Sequence, residues 1–179
     1  MKVLKDIIAI LEERKLEYCL FGGLALQAYK RIRSTLDLDI ILSLEPQKLQ
    51  EFIGWLRAKN ITFDDSRGIK RINDFEFMRF LYTDPESMID VPLDFVTVRT
   101  DFQKNILKRR QLLEILGLNV YIASCEDLIL LKLLAGRPLD KVDAQILVKE
   151  NKTELEEEYL AGWARNLKIE NILKHLLSS

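Results

Sequence analysis

Residues 18–42 read YCLFGGLALQAYKRIRSTLDLDIIL, and the cut points inside this stretch decide the fold. Residues 17–21 (EYCLF) are short, apolar and partly aromatic, and they stop at Gly22-Gly23. That is the pattern of a buried strand entering a tight turn. Residues 24–31, with Leu24, Ala25, Leu26 and Ala28, favour a helix. Residues 37–42 return to strand, yet carry Asp37 and Asp39. Aspartate is depleted in strands and costly to bury, so two carboxylates inside an apolar run call for a physical reason.

Alternation along a strand supplies one. Leu36, Leu38, Ile40 and Leu42 are expected on one face, and Asp37, Asp39 and Ile41 on the other. Like charges brought that close repel, and one carboxyl protonates unless something positive intervenes. Aspartate oxygens suit a hard cation such as Mg2+, which also takes substrate phosphates. A third carboxylate, Asp94, lies in the strand-like run 91–98 (VPLDFVTV), with Leu93 and Phe95 expected to face the other way. If that strand neighbours 37–42, the cluster Asp37, Asp39 and Asp94 is equipped to hold two metal ions clamping a displacement at phosphorus. Gly22-Gly23 fits the same picture, since glycine admits close backbone approach and a helix N-terminus offers N–H groups to an anion. By itself, Gly-Gly after a strand is more often only a turn.

Working outward, residues 3–14 show helical spacing of Val3, Leu4, Ile7, Ile8 and Leu11. Pro46 opens a helix to about Lys59. The region 60–75 is polar and irregular, residues 76–82 and 91–98 read as strands, and Asp84-Pro85-Glu86-Ser87 reads as the turn between them. Beyond residue 100 the pattern is mostly helical. Ser124 with Asp127 is a cap pair ahead of LILLKLLAG, Gly136 a stop, and Pro138 the start of a helix over 138–149. Thr153 with Glu156 forms a second capping-box candidate, with Glu156, Glu157 and Glu158 in a first helical turn. The expected organisation is a core over 1–100 and a mainly helical region over 101–179 packed on it.

A net charge of −1 argues against a surface coated for nonspecific DNA binding. Cys19 and Cys125 sit in or beside apolar runs without metal-ligand spacing and read as buried thiols. Asp6, Glu12 and Glu13 break any signal-peptide core, and no apolar run approaches a membrane span. The expectation is a cytoplasmic chain without a membrane partner.

The combined pattern resembles the nucleotidyltransferase superfamily related to DNA polymerase beta. Its signature is an apolar residue, Gly, then Gly or Ser, a spacer, and Asp-apolar-Asp/Glu-apolar, with a later apolar-Asp-apolar. The matching residues are Phe21-Gly22-Gly23, a spacer over 24–36, Asp37-Leu38-Asp39-Ile40, and Leu93-Asp94-Phe95. RIRSTLDLD and SCEDLILLKLLAGRPLDKVDA look like segments of small bacterial AbiEii-like nucleotidyltransferases, the toxin component of an abortive-infection system. The resemblance spans about residues 17–148.

It implies an α+β fold, a nucleotidyltransferase-type mixed β-sheet with flanking helices followed by a helical C-terminal part. It also implies an Mg2+-dependent enzyme (two ions, with Mn2+ an alternative) moving a nucleoside monophosphate from a nucleoside triphosphate to a hydroxyl on RNA, protein or a small molecule. Asp37, Asp39 and Asp94 would be catalytic and metal-binding. Gly22, Gly23, Arg33, Thr35, Lys132 and Arg137 would be nucleotide- or phosphate-binding. An antitoxin or other protein partner follows from the AbiEii likeness, and a non-catalytic interaction module of the same fold is the alternative.

Some residues stay open at this level. Arg33, Lys132 and Arg137 also read as ordinary surface charges. Asp140 and Asp143, three apart on one helix face, read better as salt-bridge partners than as metal ligands. Lys104, Lys108, Arg109 and Arg110 form either a guide for a polyanion or, preferably, a solvated helix face. His175, near the end, reads as a surface or packing residue.

Overall fold

The computed structural model describes residues 2–64, 69–72, 74–86 and 88–178. The first strand, β1 (Tyr18–Phe21), follows helix α1 (Lys2–Glu13). β1 pairs antiparallel with β2 (Leu38–Leu42), and β2 pairs parallel with β6 (Asp90–Thr97). β5 (Phe75–Thr83) runs antiparallel to β6, and its other edge takes β3 (Ile61–Phe63) and β4 (Ile69–Ile72). On the far side, β1 is parallel to β8 (Leu118–Ile122), which closes a hairpin with β7 (Gln111–Ile115). The mixed sheet has the order β3-β5-β6-β2-β1-β8-β7, with β4 on β5. Among the described residues no helix is long and apolar enough to cross a membrane.

One sheet face is closed by α3 (Leu49–Arg57). Its Phe52 meets Phe95 at 5.1 Å and Phe80 at 6.3 Å between ring centroids. Phe80 and Phe95 are fully buried, as are Leu20, Leu38 and Ile40. Three aromatic rings in edge-on contact bury far more area than aliphatic side chains would at the same sites. The opposite face looks toward α5 (Cys125–Ala135). Ser124 caps α5 by accepting from the Asp127 N–H, and Gly136 ends it in the left-handed conformation at φ +68°, both as read from the sequence. The buried free thiols of Cys19 and Cys125 also agree with that reading. α6 (Pro138–Asn151), α7 (Glu157–Asn166) and α8 (Glu170–Leu177) complete the chain, with His175 exposed on α8.

Several expectations are corrected. Residues 111–122 are two strands rather than helix, so the sheet draws on the chain beyond residue 100. Their turn, Leu116-Gly117, has φ of 52° and 75°, the doubly positive geometry of a tight hairpin. Part of the 60–75 region forms β3 and β4, while 65–68 and 73 lie outside the described residues, as does Ser87 of the expected turn. The helix over 24–31 is a short α2 (Gly22–Ala25) running into a 3-10 turn (Leu26–Tyr29), stopped by Lys30 at φ 63°. Pro46 opens a 3-10 turn before α3, which ends at Arg57. Leu36 precedes β2 and is exposed, not part of the apolar face.

Thr153 does not cap α7. The N-cap is Glu156, without a side-chain cap, and its carboxylate pairs with Arg109 at 2.9 Å. The basic group divides: Lys104 and Lys108 are exposed on α4 (Asp101–Arg109), as the solvated-face reading expects, while the two arginines correct it. Arg109 lies over the Tyr159 ring and reaches Glu126, and Arg110 lies over Tyr121 and reaches Glu17. These two arginines are half-buried braces between elements and not a solvated face or a free polyanion track.

Candidate active site

The register of the sheet builds the site. Phe21 stands opposite Asp39, Asp39 beside Asp94, and Asp94 opposite Arg79. One row of residues on one face thus crosses β1, β2, β6 and β5. Directly paired residues share a face, so both aspartates project away from the Phe52 core. Asp37 lies just before β2 and is exposed. The row floors a cavity of about 540 Å³, roofed by Leu128, Leu131, Lys132 and Ala135 of α5. All nine residues expected at the site line it: Gly22, Gly23, Arg33, Thr35, Asp37, Asp39, Asp94, Lys132 and Arg137.

Gly22 is required by this geometry twice over. Its φ is +68°, and a Cβ there would stand 1.9 Å from Asp39 Oδ2. Only a residue without a side chain lets the turn pass under the carboxylate. Gly23 is tight as well, since a Cβ would meet Thr35 at 3.1–3.2 Å. The Gly23 N–H donates toward Asp39, so this backbone donor is engaged within the protein.

Asp39 is pushed up to about 7, first by burial and then by the neighbouring charges of Asp94 and Asp37. Lys132 and the Gly23 N–H offset only part of this. Such crowding is what a bound cation relieves, and the donors are hard oxygens. In this sense Asp37 and Asp39 fit Mg2+. Asp94 is engaged differently. Arg79 Nε donates to Asp94 Oδ1 at 2.7 Å, and Arg79 Nη2 donates to Oδ2. Among the described residues, no three acidic, histidine or cysteine side chains are already gathered at cation-holding spacing.

Arg79 is the residue that motif reading misses. It sits fifteen positions before Asp94, in a run (EFMRFLY) that shows only a charged residue at a half-exposed strand position. Its partner is set by strand register, which no local signal announces.

The remaining charges form a clamp. Asp143, fully buried, accepts from Arg31 Nε at 3.1 Å and Arg33 Nη1 at 3.0 Å, and Lys132 Nζ lies 3.2 Å away. Lys132 also donates to Asp140 at 2.9 Å, and Arg137 pairs with Asp140 too. Burial alone would raise Asp140, yet the hydrogen bonds from Arg137 and Lys132 prevail and hold it below the ordinary carboxylate range. The salt-bridge reading of Asp140 and Asp143 therefore agrees with the structure. Arg33, Lys132 and Arg137 line the cavity already engaged in ion pairs, although with Arg31 they bring four positive charges to the two of Asp140 and Asp143. The clamp ties residues 31–33 to α5 and α6, and so positions the short link that carries Thr35 and Asp37.

The architecture has counterparts. A structure of ANT(2'')-Ia in complex with adenylyl-2''-tobramycin superposes with a TM-score of 0.63 at 15% identity, covering 93% of this chain and 95% of that one. The lincosamide antibiotic adenylyltransferase LnuA bound to lincomycin gives 0.55 at 19% identity, with coverage of 82% and 94%. A nucleotidyltransferase structure from H. pylori gives 0.58 at 21% identity, with coverage of 93% and 73%. At these identities the likeness speaks for the fold alone. No curated protein matches the sequence. Residues 1–161, however, match the family described as nucleotidyltransferase of unknown function (DUF6036). With most of its length matched, and with that fold, the chain belongs to this family of nucleotidyltransferases.

Proposed function

We propose that the protein is a metal-dependent nucleotidyltransferase that moves a nucleoside monophosphate from a nucleoside triphosphate to a hydroxyl acceptor. The observation that carries this reading is the row Asp39–Asp94 with Asp37 beside it, facing a cavity over the Gly22-Gly23 turn. Asp37 and Asp39 would hold Mg2+, which would neutralise phosphate charge during transfer. Gly22 and Gly23 let phosphates approach the backbone, with Lys132 above them on α5. Asp94 would accept the proton of the incoming hydroxyl, with Arg79 as its charge partner. Nothing here needs a covalent nucleophile, because phosphoryl chemistry of this kind depends on positioning and charge.

For the acceptor, the cavity supports a small molecule. One neighbour holds adenylyl-2''-tobramycin, and another, a lincosamide antibiotic adenylyltransferase, holds lincomycin. The C-terminal half contributes the α5 roof of that cavity. An RNA or protein acceptor rests on the sequence resemblance alone, and a toxin–antitoxin setting on its AbiEii-like motifs. The test is label transfer from α-labelled triphosphates, with Mg2+, into cellular RNA, protein and metabolite fractions. Wild-type protein labels one fraction, whereas Asp37→Asn and Asp39→Asn, checked as folded by circular dichroism, label none. Wild-type rates in either variant overturn the assignment.

A second reading has its own observation. The two-pronged hold of Arg79 on Asp94 suits a non-catalytic module in which the acidic row is structural. Calorimetry with Mg2+ and each triphosphate separates the two. Absence of binding at about millimolar concentration favours the module.

A further inference from the structure

Resting on the transferase reading, we infer that the acceptor is a small hydroxylated molecule that carries a planar ring and an anionic group. In-line displacement puts the leaving diphosphate and the incoming hydroxyl on opposite sides of the transferring phosphorus. Gly22 and Gly23 stand at one end of the row that crosses the sheet, Arg79 and the β4–β5 hairpin at the other, and Asp39 with Asp94 lie between. A triphosphate seated on the glycine turn therefore leaves the hairpin end to the acceptor.

That end has a defined chemistry. Phe75 and Phe77 alternate with Arg79 on the cavity side of β5, and Ile72 and Lys70 pair directly with them from β4. The two phenyl rings lie 6.2 Å apart at 29°, and both are half-exposed. They form an aromatic ledge in the cavity lining, a surface suited to hold a flat ring by offset or edge-on contact. Charge then narrows the choice. Each other cation lining the cavity, Arg79 included, is engaged with a carboxylate. Lys70 lines the cavity beside Phe77 and makes no ion pair among the described residues. The carboxylates Asp37 and Asp39 would be taken up by the cation of the triphosphate in the transferase reading. An acceptor on the ledge thus meets, in Lys70, a positive charge without a carboxylate partner among the described residues. A polyamine sugar such as the tobramycin of the ANT(2'')-Ia complex is mismatched there, and an anionic aromatic alcohol is matched.

The experiment is calorimetry on the full chain with Mg2+ and adenosine 5′-(α,β-methylene)triphosphate, titrating near-isosteric phenols: 4-hydroxyphenylacetate, 4-ethylphenol and tyramine, with 3-hydroxypropanoate as the ring-free anion. The expected result is that 4-hydroxyphenylacetate binds at least about tenfold more tightly than tyramine. 3-Hydroxypropanoate gives no measurable heat, and Lys70→Glu inverts the order of the two charged phenols. Tyramine binding as well as the anion, an order unchanged in Lys70→Glu, or no phenol binding while the triphosphate analogue binds would each overturn the acceptor assignment and leave the transferase reading standing. Failure of the analogue itself to bind overturns that reading, and this inference with it.

Discussion

Asp39→Asn is expected to stabilise the metal-free protein at alkaline pH and to do so progressively less as the pH falls. In the folded chain Asp39 is raised from its ordinary value near 3.8 to about 7, chiefly by burial and by Asp94 and Asp37. The unfolded chain releases this proton near 4, the native state only near 7. Between those values the native state binds more protons than the unfolded state, so stability contributed at this site falls as pH rises. The cost of ionised Asp39 is absent below about 4 and complete above about 7. At about 1.4 kcal/mol for each pH unit of difference, the ceiling is on the order of 4 kcal/mol. Rotation of Asp37, which is exposed, and water entering the cavity relieve part of it, so about 2 kcal/mol is expected at pH 8. Asparagine keeps an oxygen to accept from Gly23 N–H while removing the charge.

For a chain of this size 2 kcal/mol corresponds to a rise in Tm of about 4–8 °C. Thermal melts of wild type and variant in a chelator, at about pH 8 and about pH 5, measure it. The gain at pH 5 should be about a third of that at pH 8. Mg2+ should raise the Tm of the wild type more than that of the variant, because the cation relieves the same crowding. A variant that melts at or below wild type at pH 8, or a gain that does not depend on pH, would refute the reasoning that the three carboxylates crowd one another.

Other substitutions probe separate supports. Gly22→Ala places a methyl group against Asp39 Oδ2 in a left-handed backbone. It should cost about 1–3 kcal/mol in denaturant melts and abolish label transfer. Asp143→Ala strands Arg31 and Arg33, each about a quarter exposed, and should cost about 2–3 kcal/mol once that exposure is allowed for. The same change should loosen the link to Asp37, visible as faster amide exchange over residues 31–37. Leu116→Asn replaces an exposed leucine at φ 52° with a residue that tolerates this conformation, and should raise stability by about 0.5–1 kcal/mol.

What could be read from the sequence, and what could not, follows from the range of the interaction involved. β1, the Gly-Gly turn, β2 and β6 were legible because each carries its own signal: an apolar run, a breaker, or carboxylates that keep period two with their neighbours. The β7–β8 hairpin was not, because its turn is Leu116-Gly117 inside the run LLEILGLNV, where the asparagine or aspartate that usually marks such a turn is replaced by another leucine. The break after Ala25 was hidden for a related reason, since LALQAY has good helical composition and the 3-10 geometry is imposed by packing. Each is a local propensity overridden by tertiary contacts.

Arg79 belongs to a different class. Whether it meets Asp94 is decided at the β5–β6 turn, where the Asp84 N–H donates to the Ile89 carbonyl and Thr83 pairs with Asp90. A slip of one residue in that turn would flip β5 and set a core residue, Met78 or Phe80, against Asp94 while Arg79 pointed at Phe52. The burial of alternate residues along β5, Met78, Phe80 and Tyr82 inward against Phe77 and Arg79 half-exposed, rules out that slip. The hydrophobic core on one face of the sheet thereby selects the charge that faces the acidic row on the other. The chemistry of the site is thus specified partly by residues, such as Phe80, that never touch it.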